Sequence, residues 1–511
     1  MKKEFTKELV KTALIGTKRA EVPRVVLDEL EKKKMTSSFK EEQVLSAAAL
    51  LNMTEKAGFQ TKHISTIPES PKYQTETTTC SPASIKHLYM VVDGAFELAL
   101  PEFLHHLGLN KKCLPPEILP DLLEQSLASQ DLWQKLQKSI GDRGWWLIQQ
   151  NPDWFPLLPK QEKPWDDASN EERLSIWEKQ WLDQPYDALN LLEETWSSES
   201  NNQRLAFLKV LEKNLSPDAE IFLESLLDDR RKEIRKSAVR MLAQIPDSQF
   251  SKRTFKRLSE LMEIKTSKSK GDLLQVQLPD QLDDEMIRDG IDPRVQWFKG
   301  GVKASRLGQM VAMIHPKLWE EQFKKDAAEI VNLFRSSDWG ELLLQAVIEA
   351  AVLHKDENWT AALLLFKIEN QHIQQWQNLN TNRLIEQVSD KIFNTVATKG
   401  MEQNQGLLEE GSPVTYMLKN CACLWSDELT ELVIVNLHEW LAGESSRYWN
   451  GWHYRSILKK ASYMCNPFIH EKFSYEWWPR ESKIWGSWER EVDDFLATLH
   501  FRCKMVEGLK S

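Results

Sequence analysis

The sequence predicts an all-α protein, an irregular array of helices that carries one loop-rich insertion. Glycine is scarce, with 19 among 511 residues, and long segments repeat their apolar residues at steps of three and four, which is the spacing of amphipathic helices. The apolar-polar alternation of strands is almost absent. With 41% hydrophobic residues the chain can bury a large core. We therefore expect helices packed on helices over most of its length.

Residues 1–60 predict an N-terminal helical segment that belongs to the mature protein. Glu4 and Glu8 stand where a signal peptide needs an uninterrupted apolar core. The apolar runs of the chain are also far shorter than the roughly 18 residues that a spanning helix requires. We therefore expect a cytoplasmic protein without a membrane segment. Residues 61–81, rich in Ser, Thr and Pro, form the predicted linker.

Residues 82–170 predict a helical bundle with proline-rich turns. Pro101, Pro120 and the pair Pro115 and Pro116 punctuate short segments of helical periodicity. Proline fits the first turn of a helix far better than its interior. Several short helices that meet in angular corners are therefore expected.

Residues 171–250 predict stacked helix pairs. A shift of 31 residues aligns Arg204 with Arg235 and Leu211 with Leu242. A fixed period of this length indicates repeated units, each of which must bury its apolar face against a neighbour.

The second copy of this repeat resembles a HEAT repeat. That family places an Asp at the turn between two helices, then an aliphatic residue, an Arg, an Ala and a Leu at fixed offsets. The matching residues are Asp229, Ile234, Arg235, Ala238 and Leu242. The preceding copy is degenerate, with Ser198 at the Asp position and Phe207 at the Ala position. The resemblance implies a HEAT-like α-solenoid in which the Asp and Arg join neighbouring turns in a polar ladder.

Residues 251–306 predict a charged, loop-rich insertion. Residues 252–270 hold seven basic side chains against two Glu, and residues 280–292 hold six acidic side chains against one Arg. Blocks of opposite sign attract each other or two different partners, and the run GDLLQVQL between them could contain a short extended segment. We regard the basic block as a candidate partner surface. Its candidate residues are Lys252, Arg253, Lys256 and Arg257.

Helices resume over residues 307–511, where the apolar faces repeat without a clear period. The run SSRYWNGWHYRSILKK interleaves aromatic rings with arginines. Such a cluster can grip a peptide or stack bases, and it can equally cement a helix joint. The candidate binding residues here are Arg447, Trp449, Trp452 and Arg455.

The sequence offers no catalytic, cofactor or metal motif. In the HEWLA run at 438–442, Ala442 replaces the second His of a zinc-protease helix. His105 and His106 are adjacent, so on a helix they point about 100° apart and cannot easily share one metal. The six cysteines lack C-x-x-C spacing. We therefore assign no catalytic residue, no cofactor and no metal.

Three segments carry a wider resemblance. The runs TALIGTKR and GDRGWWLIQQNPDW, and the stretch from LDDEMIRDGID to IHPKLW, resemble an uncharacterised bacterial family of helical-repeat proteins. Its members resemble accessory proteins encoded beside a MoxR-type AAA+ ATPase, a von Willebrand A-domain protein and a SWIM zinc-finger protein. The resemblance implies a cytosolic adaptor in an ATPase-linked maturation or chaperone-like system.

We therefore expect a non-enzymatic scaffold that binds proteins, with the AAA+ ATPase or the von Willebrand A-domain protein as its partner. The alternative is a HEAT-repeat DNA-binding protein or an enzyme similar to the alkylpurine DNA glycosylases, with the aromatic cluster as its lining. The net charge of -10 opposes that alternative, because phosphate affinity comes from positive surface. A metal-dependent hydrolase is the remaining alternative.

Overall fold

A computed structural model gives the structure of this chain. It describes residues 2–35, 37–57, 68, 69, 71, 80–158, 164–267, 271–294, 300–403, 408–443 and 451–510. Over these ranges the regular structure is helical apart from one two-stranded sheet, so the all-α prediction is confirmed. No helix in them combines the length and the apolar composition that a bilayer crossing needs. The chain divides into two compact units, Met1–Lys72 and Tyr73–Ser511.

The described residues of the first unit contain three helices. They are α1 (Lys2–Ile15), α2 (Arg24–Lys32) and α3 (Lys40–Ala57). Their shared core is small. Its buried residues are Phe5, Leu9, Val22, Val26, Leu30 and Ala47.

The second unit opens with a bundle of short helices. They are α4 (Pro82–Val92), α5 (Leu100–Leu109), α6 (Leu119–Ala128), α7 (Gln130–Leu136) and α8 (Gly141–Gln150). Pro101 and Pro120 each lie in the first turn of a helix, as predicted, because a missing N–H costs nothing there.

Helix pairs follow the bundle. The helices are α9 (Asn170–Asp183), α10 (Pro185–Trp196), α11 (Asn201–Lys213), α12 (Glu220–Ser225), α13 (Lys232–Gln244) and α14 (Gln249–Leu261). The Arg204 guanidinium lies 3.6 Å from the Asp229 carboxylate, and Arg235 donates a hydrogen bond of 2.6 Å to the Asp229 carbonyl. These contacts tie neighbouring turns together, which is the structural role that the resemblance implies for the three residues.

The segment predicted as a loop-rich insertion contains more regular structure than expected. It begins inside α14, which buries Phe250, Thr254 and Leu258 at a spacing of four residues. Strands β1 (Met262–Ser267) and β2 (Gly271–Val276) then form an antiparallel hairpin, so GDLLQVQL does contain an extended segment. A short helix, α15 (Asp284–Arg288), follows. The high count of charges conceals α14, because Lys252 and Lys256 lie on its outer face and Arg253 and Arg257 pair with the acidic block that follows.

The remaining helices form the largest core of the protein. They are α16 (Gly301–Met313), α17 (Lys317–Phe323), α18 (Ala327–Arg335), α19 (Gly340–His354), α20 (Glu357–Glu369), α21 (Gln374–Gln377), α22 (Asn382–Glu386), α23 (Asp390–Gln403), α24 (Pro413–Asn420), α25 (Asp427–Ala442), α26 (Trp452–Met464) and α27 (Glu489–Lys510). Helix α19 is apolar on nearly all sides and is buried in this core.

Helix α27 belongs to two cores. Phe495 and Leu499 lie in the large C-terminal core, whereas Phe501 and Met505 lie in the core of the first bundle. Arg502, which follows Phe501 and is 2% exposed, donates hydrogen bonds of 2.6 and 2.8 Å to the carboxylate of Glu102 on α5. The last helix therefore holds the first bundle against the C-terminal array.

We expect Glu102→Ala to destabilise the second unit by about 2–3 kcal/mol. The substitution leaves a buried guanidinium without its carboxylate partner, which costs roughly 3–5 kcal/mol in full burial, and the Glu102 side chain is 23% exposed. Urea unfolding followed by circular dichroism measures the loss. Glu507→Ala is the control, because it removes an exposed carboxylate whose pair with Lys504 is worth about 0.5 kcal/mol or less. Equal losses in the two variants would contradict this account.

Candidate functional site

An open groove of about 760 Å³ lies where the first bundle meets α26 and α27. We call it the Trp452 groove. One wall is the turn at residues 94–98, whose Phe96 ring stacks on Phe501 of α27 with ring centroids 4.0 Å apart. Its charged lining residues are Glu97, Arg455, Lys459, Glu491 and Asp494, and Trp452 lines it as well. Because α27 joins the bundle to the array, the groove depends on that joint.

Trp452 is the exposed aromatic residue of this groove. It is 66% exposed, whereas Trp177, Trp319 and Trp359 are fully buried. Trp452 is the first residue of α26, and Gly451 before it lies against the ring of Trp440, where a Cβ would come within 2.4 Å of a ring carbon. Only glycine fits this close approach. The sequence left open whether the aromatic cluster packs or is exposed, and Trp452 is exposed.

Arg455 is fixed by its surroundings. Its guanidinium lies 5.5 Å from the ring centroid of Trp452 and 5.1 Å from that of Trp488. It donates a hydrogen bond of 2.7 Å to the Ser487 carbonyl and pairs with Glu491 at 2.7 Å. The structure thus brings the predicted residues Trp452 and Arg455 together, but the charge of Arg455 is already compensated.

Carboxylates outnumber bases along the Trp452 groove. Glu97 and Asp494 are exposed there, with Lys459 as the exposed base. Burial raises the pKa of Tyr463, and the same two carboxylates add to the rise. Its hydroxyl therefore remains a hydrogen-bond donor at neutral pH. A lining of this kind repels phosphate and attracts cationic groups.

Two other predicted residues of the aromatic cluster, Arg447 and Trp449, lie outside the described residues.

The four predicted residues of the basic block divide into two pairs. Arg253 and Arg257 both donate to Asp289, with shortest distances of 2.6 Å each, and Arg253 also pairs with Glu224 at 2.7 Å. Asp289 is 3% exposed. The blocks of opposite sign therefore attract each other through their arginines. Lys252 and Lys256 are exposed, one turn apart on the outer face of α14.

The described residues contain no group of three or more His, Cys, Asp or Glu side chains suited to a metal ion. The rings of His105 and His106 meet edge to face, with centroids 5.5 Å apart. A closer pair, which the sequence did not single out, is His315 and His354, with centroids 4.7 Å apart. Burial lowers the pKa of His354 to about 4, and the neighbouring His315 adds to the effect. This pair is therefore neutral at physiological pH.

The six cysteines are free thiols. Burial raises the pKa of Cys465 to about 12, so this thiol is a poor nucleophile. In the C-x-C pair, Cys421 donates to the Ile385 carbonyl at 3.5 Å and Cys423 to the Val388 carbonyl at 3.4 Å.

Fold and site together define an all-α helical array with an open, acidic groove beside an exposed tryptophan. A model of a family of unknown function, DUF5691, matches residues 8–509. The chain belongs to this family, which agrees with the wider resemblance to an uncharacterised family. No curated protein matches the chain, and no solved structure does.

The buried His354 predicts a loss of stability in mild acid. Its ordinary pKa is 6.5 and its folded pKa is about 4, so between these values the unfolded chain binds a proton that the folded chain does not. The stabilisation is complete above pH 6.5 and decreases as the pH falls toward 4. From pH 7.5 to 5.5 this residue should account for about 1 kcal/mol.

His354→Gln tests this expectation, because glutamine can still donate to the Met313 carbonyl that His354 contacts at 3.1 Å but cannot titrate. Urea unfolding at the two pH values should show a smaller loss in the variant than in the natural chain. An equal loss in both would show that His354 is not the sensitive group.

Proposed function

We propose that this chain is a non-enzymatic scaffold or adaptor that binds other proteins, with the Trp452 groove as one of its contact surfaces. The observation that carries the proposal is the exposed ring of Trp452 at an open groove. Tryptophan is prominent among the residues that dominate protein interfaces. Burying a ring of this size in an interface stabilises a complex by on the order of 2–3 kcal/mol. The chain alone lacks this contribution.

The first unit supports the same function. Its small core leaves several large apolar side chains mostly uncovered on or beside α1 and α3. They are Leu14, Phe39, Leu45 and Met53. Exposed apolar side chains concentrated in one small unit are typical of surfaces that bind another protein.

The proposed partner is the MoxR-type AAA+ ATPase or the von Willebrand A-domain protein, and the proposed setting is the cytoplasm. Both follow from the wider resemblance of the sequence. The acidic lining of the Trp452 groove supports a protein ligand over a nucleic acid, because Arg455 is neutralised by Glu491 and exposed carboxylates repel the phosphate backbone. The Trp452 groove therefore does not favour the glycosylase-like alternative.

We expect Trp452→Ala to reduce capture of the partner about tenfold or more, the usual effect of removing an interface anchor. The tagged chain is used to capture proteins from its native bacterial lysate with and without nuclease, and the AAA+ ATPase and von Willebrand A-domain protein are quantified by mass spectrometry. Tyr186→Ala is the matched control, because Tyr186 is an exposed aromatic residue on α10, outside the groove. Equal capture by the Trp452 variant and the natural chain would refute this site, and nuclease-sensitive recovery of nucleic-acid proteins would favour the alternative function.

We propose Lys252 and Lys256 of the basic block as a second contact surface, because Arg253 and Arg257 are already paired with Asp289. Reversing both to Glu should weaken capture severalfold and leave the helical content unchanged, since both side chains are exposed. Unaltered capture would exclude this surface.

Arg253→Glu with Arg257→Glu is the contrasting variant, because it changes the charge equally but strips the buried Asp289 of its partners. We expect it to lose about 3 kcal/mol or more of unfolding free energy. A stable double-arginine variant would show that the ion pairs with Asp289 do not hold this region together.

A further inference from the structure

A second groove, of about 420 Å³, lies between the helix pairs and the C-terminal array. We call it the basic groove. One side is formed by α11 and α13, and the other by the end of α19 and by α22. Its floor contains Val352 and Leu353, and Leu353 also packs against the core of the helix pairs. The groove therefore follows a joint between two packed parts of the second unit.

Charge sets this groove apart from the rest of the chain. Its basic residues are Lys209, Lys213, Arg240, Lys355 and Arg383, and its acidic residues are Glu212 and Glu386. The chain as a whole carries a formal charge of -10. A positive recess in an acidic protein concentrates field lines and selects anionic ligands.

Two of the five bases are uncommitted. Arg240 pairs with Glu212 at 2.8 Å, Lys213 lies 3.6 Å from Glu178, and Arg383 pairs with Glu349. Lys209 and Lys355 are exposed, and neither has a carboxylate partner within the part of the chain that the structure describes. These two ammonium groups lie on opposite sides of the groove, one from α11 and one from the end of α19.

The lining also limits the kind of anion. It contains no aromatic ring, so it lacks the stacking surface on which proteins hold the bases of single-stranded nucleic acid. The apolar floor, in contrast, suits aliphatic side chains that alternate with carboxylates. The Val352 carbonyl accepts a hydrogen bond of 3.0 Å from Gln387, so this part of the floor needs no further donor.

We propose that the basic groove binds an acidic polypeptide segment of a partner protein, with Lys209 and Lys355 contacting its carboxylates from the two sides. This site is separate from the Trp452 groove, which has the opposite charge preference and lies on α26 and α27. The proposal does not depend on the identity of the partner suggested by the sequence resemblance. Each groove can therefore fail its test without affecting the other.

The test measures binding of a fluorescein-labelled hexaglutamate peptide to the full chain by fluorescence anisotropy at low ionic strength. We expect saturable binding that added salt weakens. Lys209→Glu combined with Lys355→Glu should raise the Kd at least about tenfold, because it reverses two unpaired charges at the contact. The control is Lys399→Glu combined with Lys419→Glu, which changes the net charge equally at exposed positions on α23 and α24 outside the groove.

Several outcomes would overturn the proposal. They are the absence of saturable peptide binding, an unchanged Kd in the groove variant, an equal loss in the control, and tighter binding of a single-stranded oligonucleotide of the same charge. The extent of chemical acetylation at each lysine of the natural chain, with and without peptide, is a second measurement that needs no variant. Bound peptide should protect Lys209 and Lys355, and protection of neither residue would also refute the site.

Discussion

The second unit depends on one helix, α27, because that helix completes two cores at once. Residues about 400 positions apart meet in the pair between Arg502 and Glu102, and Arg502 also donates to the Ser462 carbonyl of α26 at 2.7 Å. Closing so long a loop costs only slightly more conformational entropy than closing a short one, because the entropic cost grows with the logarithm of loop length. Apolar burial on both halves of α27 supplies the stability, and the bidentate pair fixes the register. The Trp452 groove exists at this joint.

Arginine and lysine side chains lie in different environments in this chain. Arginines such as Arg204, Arg253 and Arg502 are mostly covered and bind carboxylates or carbonyls inside the fold. Their planar group makes several hydrogen bonds at once and remains charged when buried. Lysines such as Lys209 and Lys252 are exposed on helix faces. A count of basic residues in a sequence segment therefore overstates the positive surface, and the lysines give the better measure of it.

Local signals in the sequence were sufficient for the fold class and for the helix starts at Pro101 and Pro120. Apolar periodicity indicates a helix whatever it packs against, and a proline such as Pro101 marks a helix start. The resemblance to a HEAT repeat implied a ladder of Asp and Arg side chains, and Asp229 does contact Arg204. The Trp452 groove could not be predicted, because it forms from segments at both ends of the second unit. The exposure of Trp452 depends on which other segments pack around it, and the spacing of residues in the sequence does not determine that.

The two grooves differ in the chemistry that they offer. The Trp452 groove combines an aromatic ring with exposed carboxylates, and the basic groove combines unpaired ammonium groups with an aliphatic floor. They lie on different helices of one continuous unit, so a ligand in one leaves the other open. In the proposed scaffold, two segments of a partner would then bind together, and the second would bind at the high effective concentration that the first creates. Weak contacts at each groove would then suffice for a stable complex, which is what the proposed adaptor function requires.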